Sequence, residues 1–298
     1  MFLARVKGFY FEPKMNFTSS HHKTEKTQKP PSWDTWRRFR DWQLVLPPSR
    51  PSYYHLEIVK NVLIKTSRDQ PIAILGCTPE LRDLLFRLGF KQIYLFDKSR
   101  NMYSRMNSLR SYSNHENFIY GNWMDTIPKY HNFFCAILSD LTSGNVPYDW
   151  QPTFYSAIGK ALTGDGVFID KILTHQGPKR RLSELMTKYS ELPFNLLYVN
   201  HFSCEFLFCS QLLDPNQMVN STQFYQTLHK IINTGPLKKF LDECPRITPY
   251  HTYWYYGKEW KEIAGWYFRY LEEEKIYDEE ANSPYSDNLK IIVTRKRS

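Results

Sequence analysis

Gly76 and Asp97 are residue types suited to ligand binding, and their spacing along the chain suits it as well. Gly76 ends the apolar run 71–76 and opens the segment CTPELR, where a missing side chain lets the backbone approach a ligand closely. Asp97 ends the next apolar run, about 20 residues later, where a carboxylate can accept hydrogen bonds from ribose hydroxyls. A strand, glycine turn, helix, strand and terminal acid in this order predict a site for an adenosine-containing cofactor.

The glycine motifs that bind phosphates are missing from this turn. Neither GxGxxG, which holds a pyrophosphate, nor GxxxxGK[ST], which holds a triphosphate, follows the strand. Such glycines supply the backbone N–H groups that surround an anion. The turn therefore favours an adenosine cofactor without phosphates, of which S-adenosylmethionine (SAM) is the obvious one.

The elements that must position these residues alternate between strand and helix. The predicted strands are 71–76, 92–96, 118–120, 133–139 and 166–171, and the predicted helices are 79–88, 99–109 and 152–162. This alternation predicts parallel strands joined by right-handed crossovers, in a doubly wound α/β fold. Segments 266–277 and 288–295 predict two further strands, a hairpin that completes the sheet with one antiparallel strand.

Four regions are predicted along the chain. They are an N-terminal extension (1–50) with a mobile loop at 12–32 and a docking helix at 33–46, the α/β core (51–180), a helical, aromatic-rich cap or substrate region (181–265) and the closing hairpin (266–298). Ser52 is expected to cap a helix that continues through Lys65. Within the cap, the predicted helices are 181–190, 204–213, 221–232 and 237–244.

Composition excludes several classes of protein. The 298 residues are 42% hydrophobic and 16% aromatic, which argues against global disorder. The five cysteines include no CxxC pair, so neither a disulfide framework nor a metal site is expected. Arg5 and Lys7 interrupt the first apolar run, and no apolar run is long enough to span a membrane. We expect a soluble, cytoplasmic protein.

Five short motifs follow one another along the core. They are RPS (50–52), LGCTPELR (75–82), LFDKS (95–99), GNWMD (121–125) and LSDLTSGNVP (138–147). The stretch from about Arg50 to Lys171, with the closing hairpin, resembles the class I SAM-dependent methyltransferases. It is most similar to a divergent bacterial-type group with LGxTPELR in place of the glycine-rich first motif. The resemblance implies a Rossmann-like methyltransferase fold with a seven-stranded sheet and SAM as cofactor.

The resemblance also implies individual roles. Gly76 and its neighbours line the methionine and ribose side, Asp97 binds the ribose hydroxyls, and residues 122–125 lie against the adenine. Asp140 faces the methionine moiety or the incoming nucleophile and is the candidate catalytic residue. The implied cofactor-binding residues are Arg50, Tyr54, Gly76, Cys77, Thr78, Asp97, Lys98, Asn122, Trp123, Met124, Asp125 and Asp140.

Several of these residues have a plainer interpretation. Asp97 can cap the helix that Ser99 begins, Asp125 can cap a helix before Ile127, and Arg50 taken alone suits a surface charge. His55, His175, His201 and His251 are each candidate general bases, although a structural or exposed histidine is commoner. These alternatives stay open at the level of sequence.

The methyl acceptor is the least constrained part of the prediction. An oxygen or nitrogen atom of a small molecule or peptide natural product is favoured, with Tyr253 and Trp254 as candidate substrate-binding residues. The net charge of +9 and the segment NVPY (145–148) keep methylation of a nucleobase amine as an alternative. A SAM-binding protein without catalysis is a third possibility, and both a monomer and a homodimer remain open.

Overall fold

The computed structural model describes residues 50–112, 115–146, 148–174, 181–190, 218–220, 253–255, 260–279 and 289–297. The chain divides into two compact units, one of which takes in Phe39–Pro178 and Tyr255–Ser298. The residues discussed below as a site lie in that unit.

Among the described residues, seven strands form one sheet in the order β3-β2-β1-β4-β5-β9-β8. These strands are β1 (Ile72–Leu75), β2 (Ile93–Asp97), β3 (Glu116–Tyr120), β4 (Phe134–Asp140), β5 (Leu162–Leu173), β8 (Leu271–Asp278) and β9 (Leu289–Lys296). The strands β1 to β5 pair in parallel, whereas β9 runs antiparallel to both β5 and β8. The predicted doubly wound, mostly parallel sheet with one antiparallel strand is confirmed.

Helices connect the strands of this sheet as the alternation predicts. The described helices are α1 (Tyr53–Leu63), α2 (Pro79–Arg87), α3 (Arg100–Asn107), α4 (Trp123–Thr126), α5 (Gln151–Ala161), α6 (Leu182–Ser190) and α7 (Trp260–Tyr270). Ser52 caps α1 as expected, because its side chain accepts a hydrogen bond from the backbone N–H of His55 at 2.9 Å. The helix ends at Leu63, two residues before the predicted end.

The two faces of the sheet are covered by different helices. Apolar residues of α1 and α2 pack on one face, against alternate residues of the central strands such as Ile74, Leu95 and Leu138. Two residues after Leu95 and Leu138 come Asp97 and Asp140, so these carboxylates project on the same face. Residues of α5 and α7 lie on the opposite face.

Arg82, in the motif LGCTPELR, joins three elements of the core. Its side chain is fully buried, and its Nε and Nη2 atoms lie 3.1 and 2.5 Å from the carboxylate of Glu116 at the start of β3. Nη2 also donates to Asn107 at the end of α3. Arg110 Nη1 lies 3.0 Å from the same Glu116 carboxylate. The motif arginine therefore holds α2, α3 and β3 together.

The structure corrects the predicted strand 266–277. Residues 266–270 form the last part of α7, and the strand β8 begins only at Leu271. The aromatic residues there favour a strand locally, but Ile263 and Tyr267, four residues apart, are both buried on one side of a helix. Tertiary packing overrides the local preference.

The region predicted as a helical cap also contains short strands. In addition to helix α6, which was predicted, this region has the strands β6 (Met218–Asn220) and β7 (Tyr253–Tyr255). They pair in a separate two-stranded sheet. The run Tyr-Trp-Tyr of β7 has high strand propensity. The loop 12–32, the docking helix 33–46 and the helices 204–213, 221–232 and 237–244 lie outside the described residues.

Candidate functional site

The turn after β1 has a backbone conformation that favours glycine. Gly76 has φ +106°, and its N–H donates to the carbonyl of Phe96 at 2.8 Å, which ties the turn to β2. A Cβ atom placed on Gly76 would meet none of the described atoms within 4 Å. The described part of the chain therefore leaves the space beside this glycine open.

A second glycine brings the end of β3 to the same edge of the sheet. Gly121 has φ +151° and donates its N–H to the carbonyl of Asp97 at 3.1 Å. A Cβ atom on Gly121 would lie 2.7 Å from Thr126 Cγ2, so a larger residue would displace α4. The three loops after β1, β2 and β3 are thus joined by backbone hydrogen bonds around Asp97.

Asp97 lies buried at the end of β2, between these loops. Its Oδ1 atom accepts a hydrogen bond from the N–H of Ser99 at 2.8 Å. Burial raises the pKa of Asp97 to about 6, against the opposing hydrogen bonds from Ser99 and the Cys77 thiol. Ser99 itself caps α3 by accepting from Met102 N–H at 3.0 Å. The capping role that Asp97 was alternatively expected to have belongs to Ser99.

The residues next to Gly76 differ in their exposure. Cys77 is buried, and burial together with the neighbouring Asp97 charge raises the pKa of its thiol well above the usual range. Thr78 is half-buried and precedes α2, but its side chain makes no capping hydrogen bond. Lys98, after Asp97, is also half-buried. The structure thus brings Gly76, Cys77 and Asp97 together, as the sequence predicts for a cofactor site.

The motif GNWMD forms the start of α4. Asn122 is its N-cap and accepts from Met124 N–H at 3.1 Å. Trp123 is 7% exposed and donates its indole N–H to the carbonyl of Phe96 at 2.7 Å. This hydrogen bond holds the start of α4 against β2. Met124 is half-buried and Asp125 is exposed in the first turn of the helix. Asp125 therefore lies inside α4, and the 3-10 helix that starts at Ile127 has Thr126 and not Asp125 at its N-cap.

Asp140, at the end of β4, forms an ion pair that the sequence did not indicate. Lys171, its neighbour on β5, places Nζ 2.5 Å from Asp140 Oδ1 and 3.2 Å from the carbonyl of Arg50. Both side chains are buried, at 5% and 0% exposure. Burial raises the pKa of Asp140, and the charge of Lys171 opposes that shift. The next residue, Leu141, has φ +60°, a conformation that is uncommon outside glycine.

Three more buried polar residues adjoin this ion pair. The side chain of Ser52 donates to Glu279, which directly follows β8. Glu279 raises the pKa of Asp140 further through its negative charge. His55, on α1, is 1% exposed, and burial and the charge of Lys171 hold its pKa well below the usual value. We call the set of Ser52, His55, Asp140, Lys171 and Glu279 the Lys171 cluster.

Three buried atoms of the Lys171 cluster have no hydrogen-bond partner among the described residues. One, Oδ1 of Asp140, is ion-paired with Lys171, whereas Nδ1 of His55 and Oε2 of Glu279 have no such ion pair. Buried polar atoms are nearly always paired, so each exception points to a group that the described residues do not supply. Sequence reasoning missed Lys171 and Glu279. Lys171 lies near the end of a largely apolar strand, but Glu279 follows the polar strand β8, and nothing in the sequence brings the two together.

Arg50 and Tyr54 are the remaining predicted cofactor-binding residues. The guanidinium of Arg50 is half-buried, with Nη1 4.0 Å from Glu80 Oε1. Tyr54 packs partly on the apolar core, whereas Tyr53 is 77% exposed. The side chains of Tyr253 and Trp254, in β7, lie outside the described part of the chain. So do His175, His201 and His251.

Asn145, the first residue of NVPY, makes a local hydrogen bond. Its Nδ2 donates to the carbonyl of Leu141 at 2.8 Å, within a short 3-10 turn (Ser143–Asn145). Thr142 Oγ1 donates to the carbonyl of Leu75 at 2.9 Å, which fixes this turn next to β1. The amide of Asn145 therefore stabilises the loop after β4.

Two negative findings apply to the described residues. No helix among them is long and apolar enough to cross a membrane. They also contain no group of three or more histidine, cysteine or acidic side chains placed to hold a metal ion.

Comparison with known proteins supports the fold. No protein-family profile and no curated protein sequence matches the chain. A protein of Rhodobacter sphaeroides described as a zinc-dependent alcohol dehydrogenase superposes with a TM-score of 0.53 at 12% identity, over 84% of this chain and 91% of that one. A Pyrococcus horikoshii OT3 protein of unstated function superposes with a TM-score of 0.50 at 13% identity, over 87% and 100%.

Structural neighbours also include SAM-dependent methyltransferases. One is an N1-methyltransferase of Burkholderia thailandensis, solved with 1,6-didemethyltoxoflavin and S-adenosylhomocysteine, with a TM-score of 0.46 at 8% identity over 82% of this chain and 78% of that one. At such identities the likeness speaks for the fold alone.

Proposed function

We propose that this chain is a SAM-dependent methyltransferase that transfers a methyl group to an oxygen or nitrogen atom of a small-molecule or peptide natural product. The observation that carries the proposal is the meeting of the Gly76 turn with the buried Asp97 at the carboxyl ends of β1 and β2. The strand order reverses between β1 and β4, and sheets of this kind bind ligands at that point.

The residues at this edge suit the cofactor in two respects. The space beside Gly76 is not filled by described atoms, which leaves room for a ligand against the backbone. The buried Asp97 carboxylate suits the paired hydroxyls of a ribose. The turn lacks the further glycines that a phosphate would require, which favours a phosphate-free nucleoside.

SAM, when bound, supplies an activated methyl group on a sulfonium that is a good leaving group. The protein then has to align the acceptor for in-line displacement and exclude water. We expect Asp97 to orient the ribose and Asp140 to face the transferred methyl group or the acceptor. The charge of Lys171 favours the ionised form of Asp140 and opposes the rise in its pKa that burial causes. The predicted roles of Arg50, Tyr54 and residues 122–125 are part of the same proposal.

Methylation of a nucleobase amine is not supported by the loop after β4. In that chemistry an asparagine at the end of the strand binds the exocyclic amine. Here Asp140 ends the strand, and the amide of Asn145 is used by the Leu141 carbonyl. We therefore do not adopt this alternative.

Calorimetric titration with SAM and S-adenosylhomocysteine (SAH) tests the proposal. We expect both to bind, and Asp97→Asn to weaken each by at least about tenfold, because a charge-assisted hydrogen bond is lost. Asp69→Asn is the matched control, since Asp69 is an exposed acid paired with Lys91, and the two precede β1 and β2 at the ends opposite Gly76 and Asp97. Absence of binding, or equal affinity in Asp97→Asn, would contradict the proposal.

Catalysis requires a second measurement. The protein is incubated with isotopically labelled SAM and a metabolite extract, and products that gain one labelled methyl group are sought by mass spectrometry. Tight cofactor binding without any labelled product would favour a SAM-binding protein that does not catalyse transfer.

A further inference from the structure

The Lys171 cluster lies near the carboxyl ends of β4 and β5, at the edge of the sheet where SAM is proposed to bind. Asp140 ends β4, Lys171 is its partner near the end of the adjacent parallel strand β5, and Glu279 follows β8, which runs in the same direction. We propose that the Lys171 cluster binds the nucleophilic amine of the methyl acceptor, so that the atom methylated is a nitrogen. The inference rests on the function proposed above and narrows it from oxygen or nitrogen to nitrogen.

The charges of the cluster favour a cationic ligand. Its described members contain two carboxylates, Asp140 and Glu279, and one ammonium, that of Lys171. The lysine is engaged with Asp140 at 2.5 Å and with the Arg50 carbonyl at 3.2 Å. The burial of Glu279 therefore leaves a negative charge that calls for a positively charged partner.

The hydrogen-bonding capacity of the cluster points to the same class of ligand. Glu279 uses Oε1 to accept from the Ser52 hydroxyl, while Oε2 has no partner among the described residues. The imidazole of His55 is 1% exposed, and its Nδ1 is likewise without a partner there. A neutral imidazole has one nitrogen that accepts a hydrogen bond. Two acceptors that lack donors match a group with several N–H bonds.

Other acceptor groups fit the cluster less well. A carboxylate has no donor and would be repelled by Glu279. A hydroxyl group has one donor and no charge, so it would leave one buried atom unsatisfied and the negative charge uncompensated. A primary ammonium supplies both the charge and the donors.

The transfer step can be written with this cluster as proton acceptor. The ammonium gives one proton to Glu279, and its nitrogen lone pair forms the N–C bond to the methyl group while the S–C bond breaks and its electron pair stays on sulfur. The nitrogen takes over the positive charge that the sulfonium loses. Glu279 keeps the proton until the methylated product leaves.

Titration with three simple probes tests the inference without knowledge of the natural acceptor. The full-length chain, saturated with SAH, is titrated with n-butylamine, n-butanol and butyrate, which share one chain length. Binding is followed by calorimetry and by the NMR signals of the His55 ring. We expect only n-butylamine to bind and to shift the His55 signals.

Variants connect that binding to the cluster. Glu279→Gln should weaken n-butylamine binding by at least about tenfold, since it removes the charge that attracts the amine. Glu279→Asp is the second variant if the first does not fold. It keeps the negative charge but moves the carboxylate back by one methylene group, so it should also weaken binding. Glu57→Gln, on α1 and paired only with Lys60 among the contacts described, is the matched control and should bind normally.

The outcomes separate this inference from the proposed function. Equal or tighter binding of n-butanol or butyrate, no binding of the amine, or unchanged affinity in both Glu279 variants overturns it. If SAH itself does not bind, the proposed function fails, and the same titration on the protein alone still decides the inference.

The labelled product gives an independent test. When ¹³C-methyl SAM is used with a metabolite extract, the ¹³C chemical shift of the product distinguishes a methyl group on nitrogen from one on oxygen. A label on nitrogen supports the inference. A label on oxygen overturns it and leaves the proposed methyltransferase activity intact.

Discussion

Neighbouring residues of β4 and β5 form two buried polar groups of opposite character. Asp140 and Lys171 project on the α1 face of the sheet and form an ion pair at 2.5 Å. Ser139 and Asp170, one residue earlier on the same strands, project on the other face, where the hydroxyl of Tyr267 donates to Asp170. The first group contains a cation, whereas the second contains only hydroxyls around its carboxyl group.

The two groups differ in what opposes the rise in carboxyl pKa that burial causes. Burial raises the pKa of Asp170 to about 7, although the neighbouring hydroxyl groups of Ser139, Tyr267 and Ser143 oppose the shift. Burial also raises the pKa of Asp140, but there the Lys171 ammonium opposes it with a full charge. The α1 face is therefore suited to charged ligands, and the opposite face is a largely neutral polar core.

Removal of the cation should have the largest effect. Lys171→Met leaves Asp140 buried without its partner, and breaking a buried ion pair costs about 3 to 5 kcal/mol of unfolding free energy. The loss should be smaller at about pH 5 than at about pH 8, because protonation of Asp140 relieves it. Urea denaturation at both pH values measures this.

Lys160→Met, at an exposed position of α5, is the control for that experiment and should change the unfolding free energy by less than about 0.5 kcal/mol. If Lys171→Met lowered the unfolding free energy no more than this control, the buried ion pair would not distinguish the α1 face from the opposite face.

The second prediction concerns the opposite face and pH. The pKa of Asp170 is about 7 in the folded chain and ordinarily 3.8, so the folded state binds the proton more tightly. The stability this provides is complete below about pH 4 and is lost as pH rises towards 7, at about 1.4 kcal/mol per pH unit.

Asp170→Asn removes this titration. Its unfolding free energy relative to the native chain should therefore rise by about 2 to 3 kcal/mol between pH 5 and pH 7. Chemical denaturation across that range measures the change. A difference that stays flat with pH would show that Asp170 is held charged, like Asp140.

The third prediction extends the comparison to Asp97, which shares the α1 face. With the pKa of Asp97 at about 6, its carboxylate becomes protonated in mild acid. We expect SAH affinity to fall by up to about tenfold, or about 1.4 kcal/mol, between pH 6 and pH 5. Calorimetry at several pH values should show this slope in the native chain and not in Asp97→Asn. The same slope in both proteins would assign it to another group.

The smallest effect is expected for Tyr267→Phe. The change removes the hydroxyl that donates to Asp170 but keeps the ring, whose centroid lies 4.1 Å from that of Tyr155. The loss of one buried hydrogen bond should cost about 1 kcal/mol, and the pKa of Asp170 should rise further. Thermal denaturation and NMR titration of the Asp170 carboxyl carbon measure the two effects. A lower pKa in the variant would contradict the assigned role of the hydroxyl.

Much of the fold could be predicted because it depends on local patterns. Apolar runs separated by helical segments predicted the parallel strands, and the position of Ser52 before an apolar helix predicted its cap. Gly76 and Asp97 could be found because each ends a recognisable strand. Residues 266–270 were assigned wrongly because aromatic residues favour strands locally, whereas the burial of Tyr267 depends on packing.

The Lys171 cluster could not be predicted, because its members meet only through the sheet. Lys171 faces Asp140 because of the pairing register between β4 and β5, and Glu279 reaches Ser52 across 227 residues of sequence. Contacts of this kind cannot be predicted from the spacing of residues in the sequence. The predicted cofactor-binding residues, by contrast, fall in short motifs directly after strands. Their roles in binding stay predictions until a ligand is measured.

The two polar groups also have a consequence for the alignment of the sheet. Side chains of a strand alternate between faces, so a shift of β4 by one residue would turn Asp140 towards the hydroxyls and Ser139 towards Lys171. Such a shift would leave a buried ammonium and two buried carboxyl groups mismatched at once. Apolar neighbours such as Ile137 and Leu138 would tolerate the exchange far better. We therefore expect these charged residues to fix the pairing register of β4 with β5.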